Sequence, residues 1–512
     1  MSKRRLRLLG KLMLALVVLC CAFLLFERIR GQIALASFKR ELAAKGEKLT
    51  PQELSAFVPE VDNGAPAFHE AVGQIQEGVA LPNRPPPTMS ILPSGRAIVG
   101  YREEEWVEDE TTNRWEQVEL DLQTNAVALV NVRAALEKLT FDNDLDYEQG
   151  ADLLLPHLAT GKPVCVWLGA ETQLAIRQGR SPDVRSNLVA QAHLPRTLAE
   201  DRLLISELVR IAIATIARSS LWEALQSDAL TEEDLQEIQG AWATQSFADN
   251  MARGLEGDRI YSDVTYDLLR RSNEKTVQVF YGLEEWLPVE EDDRPWWEKN
   301  LRAFPFGEGL AEFIKRQVYC RIWRLAWSHQ AQRQSAENFH RLAEITQAAV
   351  TNQSLLSVRS RIEEMEEEVL SGNFYSKLRF PSPNSFFTLT KCVSKAMQAE
   401  TERSFVLCAI ALKRHFLRHS EHPETLDALM PEFLSAVPID YMDGQPMKYR
   451  RNTDGSFTLY SVGEDGVDDG GDASLQPDRE SFRNLWHRKD FVWPQPALPE
   501  EVDAWRKEAG DR

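Results

Sequence analysis

The chain has 512 residues, room for two to four domains at about 150 residues each, and a core that needs no disulfide or metal staple. Hydrophobic residues make up 43% and charged residues 27%, a globular balance that excludes a disordered, collagen-like or polytopic membrane chain. The net charge is −19, and the first eleven residues hold five basic side chains and no acid, so the remainder is more acidic still. That argues against non-specific nucleic-acid binding, which needs Lys and Arg against phosphate.

Lys3, Arg4, Arg5, Arg7 and Lys11 precede the uncharged apolar run Leu12–Phe26. Taken from Leu6 to Phe26 the run forms a helix about 31 Å long, enough for a bilayer core, with Arg7 and Lys11 snorkelling to the interface. The amphipathic continuation through Ile29, Ile33 and Phe38 reads as one helix leaving the bilayer. The alternative is a cleaved signal peptide with Ala34-Leu35-Ala36 as its site. The positive-inside rule keeps the basic start in the cytoplasm, and residues 30–512 then lie outside it, in the periplasm if the host is bacterial. The expected partners are the lipid bilayer, through Leu6–Phe26, and an envelope protein.

Cys20 and Cys21 sit in the apolar run, while Cys165, Cys320, Cys392 and Cys408 are scattered without a Cys-x-x-Cys pair. They read as free thiols, with a single disulfide left open by an oxidising compartment. Residues 1–50 are start, anchor and stalk. Residues 51–120 are a mixed segment: Thr50-Pro51-Gln52-Glu53 is a helix start, Pro85-Pro86-Pro87 marks an extended loop, and acids cluster at Glu103–Glu105 and Glu108–Glu110. Residues 121–400 read as a helical body. Leu203–Leu225 is apolar nearly all round and predicts a central buried helix; Thr231-Glu232-Glu233-Asp234 is a capping box; Leu310, Phe313, Ile314, Val318, Ile322 and Leu325 recur at helical spacing. Glu290–Asp293, Glu363, Glu364 and Glu366–Glu368 read as solvated acids, and Trp296-Trp297 as loop packing. No fixed repeat is legible.

No dinucleotide fingerprint, phosphate loop, nucleophile elbow or zincin motif is present. His415 and His419 share a helix face, with His422 nearby, but Arg414 and Arg418 repel a cation and Pro423 ends the helix. They read as surface histidines. His157, His193, His329 and His340 read as isolated structural histidines.

Residues 401–480 form a small α+β module, followed by a tail, 481–512, whose tryptophans predict that it packs back. Glu402–Arg418 is a helix, Pro423 opens a short second one, and Pro446–Arg451 and Ser456–Val462 flank the turn Asn452-Thr453-Asp454-Gly455 as a β-hairpin. Then comes Gly463-Glu464-Asp465-Gly466-Val467-Asp468-Asp469-Gly470-Gly471-Asp472. Its carboxylates and glycines suit a curved loop that binds one Ca²⁺ through Asp465, Asp468, Asp469 and Asp472. A solvated acidic turn is the alternative. The order Pro423, Leu426, Leu429, Pro438-Ile439-Asp440, Gly444, Tyr449 and Leu459–Gly466 followed by Gly470-Gly471 resembles the globular part of the major, G-type pseudopilin of type II secretion, over residues 402–472. The resemblance implies a calcium-stabilised loop in which carbonyls near Leu459 and Ser461 assist.

The expected fold is mainly α: a transmembrane anchor helix, a large α-helical body and the pseudopilin-like module. Three functions fit: a non-enzymatic membrane-anchored interaction protein, a tethered hydrolase without a recognised motif, and a component of a secretion or pilus-like machine. The first is favoured, because the address and the module are readable and no catalytic constellation is.

Overall fold

A computed structural model describes residues 3–54, 58–108, 110–286, 300, 307–371, 373–380, 383–477 and 479–510. Helix accounts for 65% and strand for 7%, so the chain is mainly α. Glu290–Asp293 and Trp296-Trp297 lie outside the described residues.

The first helix, α1, runs unbroken from Lys3 to Ala44. Among the described residues it is the one helix long and apolar enough to cross a membrane. Its two halves meet different surroundings. From Leu12 to Phe26 the large apolar side chains other than half-buried Leu24 are exposed, Leu14 at 66% and Leu19 at 68%. From Glu27 onward the same helix contributes buried Glu27, Leu35 and Leu42. The partner is the helical stretch Trp323–Asn352, which lies alongside and runs parallel to it; the same helix extends back to residue 307. Arg28 reaches the Leu325 carbonyl, Gly31 lies against Gln330, and Phe38 packs on His340 with ring centroids 6.2 Å apart. A Cβ on Gly31 would fall 2.9 Å from the Gln330 Cγ, so glycine permits the close approach.

The main core is one cluster of buried side chains reaching from Ala65 to Trp493. At its centre is the helix Leu204–Leu225, with Ile213, Leu221 and Trp222 fully buried. It packs on Gly161–Gln178, Ser181–His193, Ala248–Arg271 and Pro383–His419. Sequence predicts this helix because it is apolar nearly all round. The charges that pierce it are paired: Arg210 with Glu207 at 2.5 Å and Arg218 with Glu402 at 3.3 Å. Thr231 and Asp234 form the expected capping box.

The proline-rich loop is held by two buried carboxylates. Asp121 accepts hydrogen bonds from the amides of Val79, Ala80 and Leu81 at 2.8–3.0 Å. Glu223 accepts from Met89 at 2.8 Å and Gly100 at 2.9 Å. Gly78 must be glycine, since a Cβ there would sit 2.2 Å from the Asp121 Cγ. The acidic run beyond forms the hairpin Glu105–Glu108 and Thr111–Arg114, which pins Trp106 against Trp115 at 5.4 Å.

The helix expected at Glu402–Arg418 begins earlier, at Pro383, and ends at His419; the chain's last helix is Pro499–Gly510. Proline is well tolerated at a first helical position. After Pro423 there is only a 3-10 turn, Leu426–Leu429. The hairpin forms as predicted, with Lys448–Arg451 against Phe457–Ser461 in the register Lys448↔Tyr460. The tail adds a third strand, Phe491–Val492, and buries Trp486 and Trp493 against Phe405 and Phe491.

Candidate functional site

Asp465, Asp468, Asp469 and Asp472 share one loop, and the carboxylates of Asp465, Asp468 and Asp472 are engaged locally. Asp465 accepts the Val467 amide at 3.0 Å, and Asp468 accepts the Tyr460 hydroxyl at 3.1 Å and the Gly470 amide at 2.9 Å. Asp472 accepts the Ser474 amide and pairs with Lys489, both at 2.9 Å. The Lys489 hydrogen bond leads the effects that hold the Asp472 carboxyl below its usual range. The loop is curved around a residue that sequence reading missed. Fully buried Asp490 accepts the amides of Gly471 at 2.7 Å, Asp472 at 3.1 Å and Asp469 at 3.4 Å. Burial raises its pKa, opposed by those amides. Among the described residues no group of three or more His, Cys, Asp or Glu is gathered to hold a metal. In this arrangement Lys489 pairs with one carboxylate of the expected set, Asp472.

A second constellation lies in the helical body. A cleft of about 570 Å³ is lined by His69, Asn143, Asp144, Gln149, Leu153 and His157, among others. His69 comes from the helix Ala65–Gly73 and His157 from the 3-10 turn Pro156–Ala159. Behind them sits Asp201, 2% exposed. Its Oδ2 accepts the Ser206 hydroxyl at 2.8 Å and lies 2.8 Å from His157 Nε2; its Oδ1 accepts Asn143 Nδ2 at 2.8 Å. Asn143 Nδ2 also donates to the Thr197 carbonyl at 2.9 Å, which fixes the amide orientation and leaves Oδ1 to accept from His69 Nε2 at 2.8 Å. A carboxylate and an amide oxygen both require a donor, so the network puts the ring proton on Nε2 of each histidine. The rings are 6.4 Å apart at 76°.

An imidazole whose far nitrogen is held by a buried carboxylate can accept a proton at its near nitrogen. Thr160, on the cleft wall, commits its hydroxyl to the His157 carbonyl at 2.8 Å. The proton to be taken would therefore come from water or from a ligand.

The remaining histidines and cysteines have local roles. His415 Nδ1 bonds the Glu421 carbonyl at 2.9 Å, and the His415 and His419 rings are 4.4 Å apart, flanked by Arg414 bonded to Glu232. Cys165, Cys320, Cys392 and Cys408 are buried free thiols; Cys20 and Cys21 are exposed on α1. Burial pushes the Cys165 and Cys392 thiols up to about 12.

No family model, curated protein or solved structure matches the chain.

Proposed function

We infer that this is a single-pass membrane-anchored protein whose N-terminus is cytoplasmic and whose helical body lies outside the cytoplasm as an interaction scaffold. The observation that carries the reading is the continuity of α1: one unbroken helix passes from an exposed apolar half into a half built into the body. A cleavable leader has no reason to contribute Glu27 and Leu35 to the interior. The five basic residues before Leu12 support the orientation. The partner would be an envelope protein, recognised by a body fixed close to the bilayer. The test is protease added to spheroplasts of a bacterial host making the full chain. The reading expects digestion of the body with the membrane intact; digestion only after lysis places the body in the cytoplasm and refutes it.

The same reading takes residues 402–472 as a pseudopilin-like module, supported by the order of helix, hairpin and acidic loop. It assigns one Ca²⁺ to Asp465, Asp468, Asp469 and Asp472, with Lys489 as the competitor the cation displaces from Asp472.

A second reading is favoured by one observation, the His157–Asp201 pair beside His69 in an open cleft. It makes the body a hydrolase in which His157 Nδ1 deprotonates water. Rates on a panel of activated esters and peptides should fall about a hundredfold or more in Asp201→Asn. Equal rates in the variant, or no turnover in either, contradict it.

A further inference from the structure

We propose that the helix between residues 307 and 325 is a second membrane contact, inserted alongside the anchor with Leu310, Phe313, Val318 and Leu325 among the lipid tails. The inference rests on α1 being the membrane anchor.

Its level is set by the parallel packing described above. Contacts advance together along the two helices: Leu325 with Arg28, Gln330 with Glu27 and Gly31, and His340 with Phe38. Residues before Leu325 therefore extend toward the part of α1 that precedes Arg28, where the anchor is apolar and exposed. At about 1.5 Å per residue, Phe313 lies roughly 18 Å beyond Leu325 in that direction. Leu24 of the anchor already packs on the small cluster formed by Cys320, Trp323, Ala326 and Trp327.

The exposure matches this level. Leu310 is 49%, Phe313 59%, Val318 44% and Leu325 49% exposed. Single exposed apolar residues are ordinary, but four on one helix continuous with an exposed anchor form a contiguous apolar surface. The flank of that surface is aromatic. Phe23 of the anchor lies 6.3 Å from the Tyr375 ring, and Trp327 Nε1 donates to the Tyr375 hydroxyl at 3.2 Å. Trp323 Nε1 donates to the Arg379 carbonyl at 2.9 Å, and the Arg379 guanidinium stands 4.7 Å from the Tyr375 ring. Trp323 and Trp327 are buried behind this flank, which leaves half-buried Tyr375 and Arg379 as the groups suited to a membrane–water boundary.

Charge selects the lipid. This end carries Arg28, Arg30, Arg316, Arg321, Arg324 and Arg379, of which Arg30 pairs with Glu27 and Arg316 with Glu312. The arginines left over complement the phosphates of anionic phospholipids, and long arginine side chains can snorkel to headgroups while apolar neighbours enter the tails.

The test uses the full chain with Cys20→Ser and Cys21→Ser in vesicles of phosphatidylcholine and phosphatidylglycerol. Nitroxide labels go on single variants Leu310→Cys or Phe313→Cys, with Leu14→Cys as the anchor reference and Val127→Cys, 73% exposed, as the water reference. Collision with oxygen reports lipid, and collision with a nickel chelate reports water. Positions 310 and 313 should show an oxygen-to-nickel ratio several-fold above position 127 and close to position 14. A ratio at 313 equal to that at 127, with 14 still in lipid, overturns this inference alone. Low access to both reagents at 313 means that a protein surface covers the helix, and also overturns it. Water-like behaviour at position 14 overturns the anchor reading itself.

Discussion

The Gln330 side-chain amide donates to both the backbone carbonyl and the carboxylate of Glu27, at 3.0 and 2.8 Å, although the residues are 303 positions apart. Its oxygen in turn accepts from Arg30 at 3.1 Å and Arg379 at 2.6 Å. One amide thus satisfies a buried anion and two cations at the level where α1 joins the body. Replacing it with an apolar residue leaves Glu27 and Arg379 short of partners. Gln330→Leu should destabilise the folded chain by about 3 kcal/mol, since bonds to charged groups are worth about 1.5–3 kcal/mol each and orphaned buried groups cost more. Thermal melting in detergent checks this; an unchanged midpoint would mean that the joint is not formed.

Asp490 is the internal counterpart of the acidic loop. Asp490→Ala removes the acceptor for the Gly471, Asp472 and Asp469 amides and should release residues 464–472. Limited proteolysis is the readout: cleavage within the loop should become much faster than in the wild-type protein, while the cleavage pattern of the helical body is unchanged.

Calcium at the same loop is tested by melting the full protein in millimolar calcium and in chelator. If Ca²⁺ binds only the folded form, a concentration a hundred times the dissociation constant stabilises it by about 2.7 kcal/mol. The gain should vanish in an Asp465→Ala, Asp468→Ala double variant. Equal midpoints in the wild type leave an acidic turn held by Asp490 and Lys489.

Glu223 makes a pH prediction. Burial pushes its carboxyl from the usual 4.5 up to about 7, opposed by the amides of Met89, Gly100 and Tyr101. Between those values the folded protein holds a proton that the unfolded chain has released. The group's contribution is therefore complete below about pH 4.5 and is lost as pH rises through 7, by at most about 3 kcal/mol. Glu223→Gln can keep an oxygen where Met89 and Gly100 donate, without the titration. The stability difference, variant minus wild type, should grow from pH 5 to pH 8; a constant difference contradicts the assignment.

What could be read in advance follows the range of the interactions. The anchor, the all-round apolar helix at Leu204–Leu225, the Thr231 capping box and the hairpin after Met447 are set by near neighbours, and their spacing is visible. His69, Asn143, His157 and Asp201 are separated by dozens of residues and are joined only by tertiary packing, so each reads as an isolated polar residue. Their one sequence signal is the presence of polar residues in loops between strongly apolar helices. Asp490 was hidden because a lone acid after an acidic loop looks like more of the same. The second half of α1 looked merely amphipathic, since its partners begin near residue 320.

The most direct test of the central claim, that the anchor is a retained member of the body, is the intact mass of the protein recovered from alkaline-carbonate-washed membranes of a bacterial host. The account predicts a carbonate-resistant chain that still carries residues 1–36, because Glu27, Gly31 and Leu35 pack into the body. A mature chain beginning at residue 37, released into the soluble fraction, would contradict it.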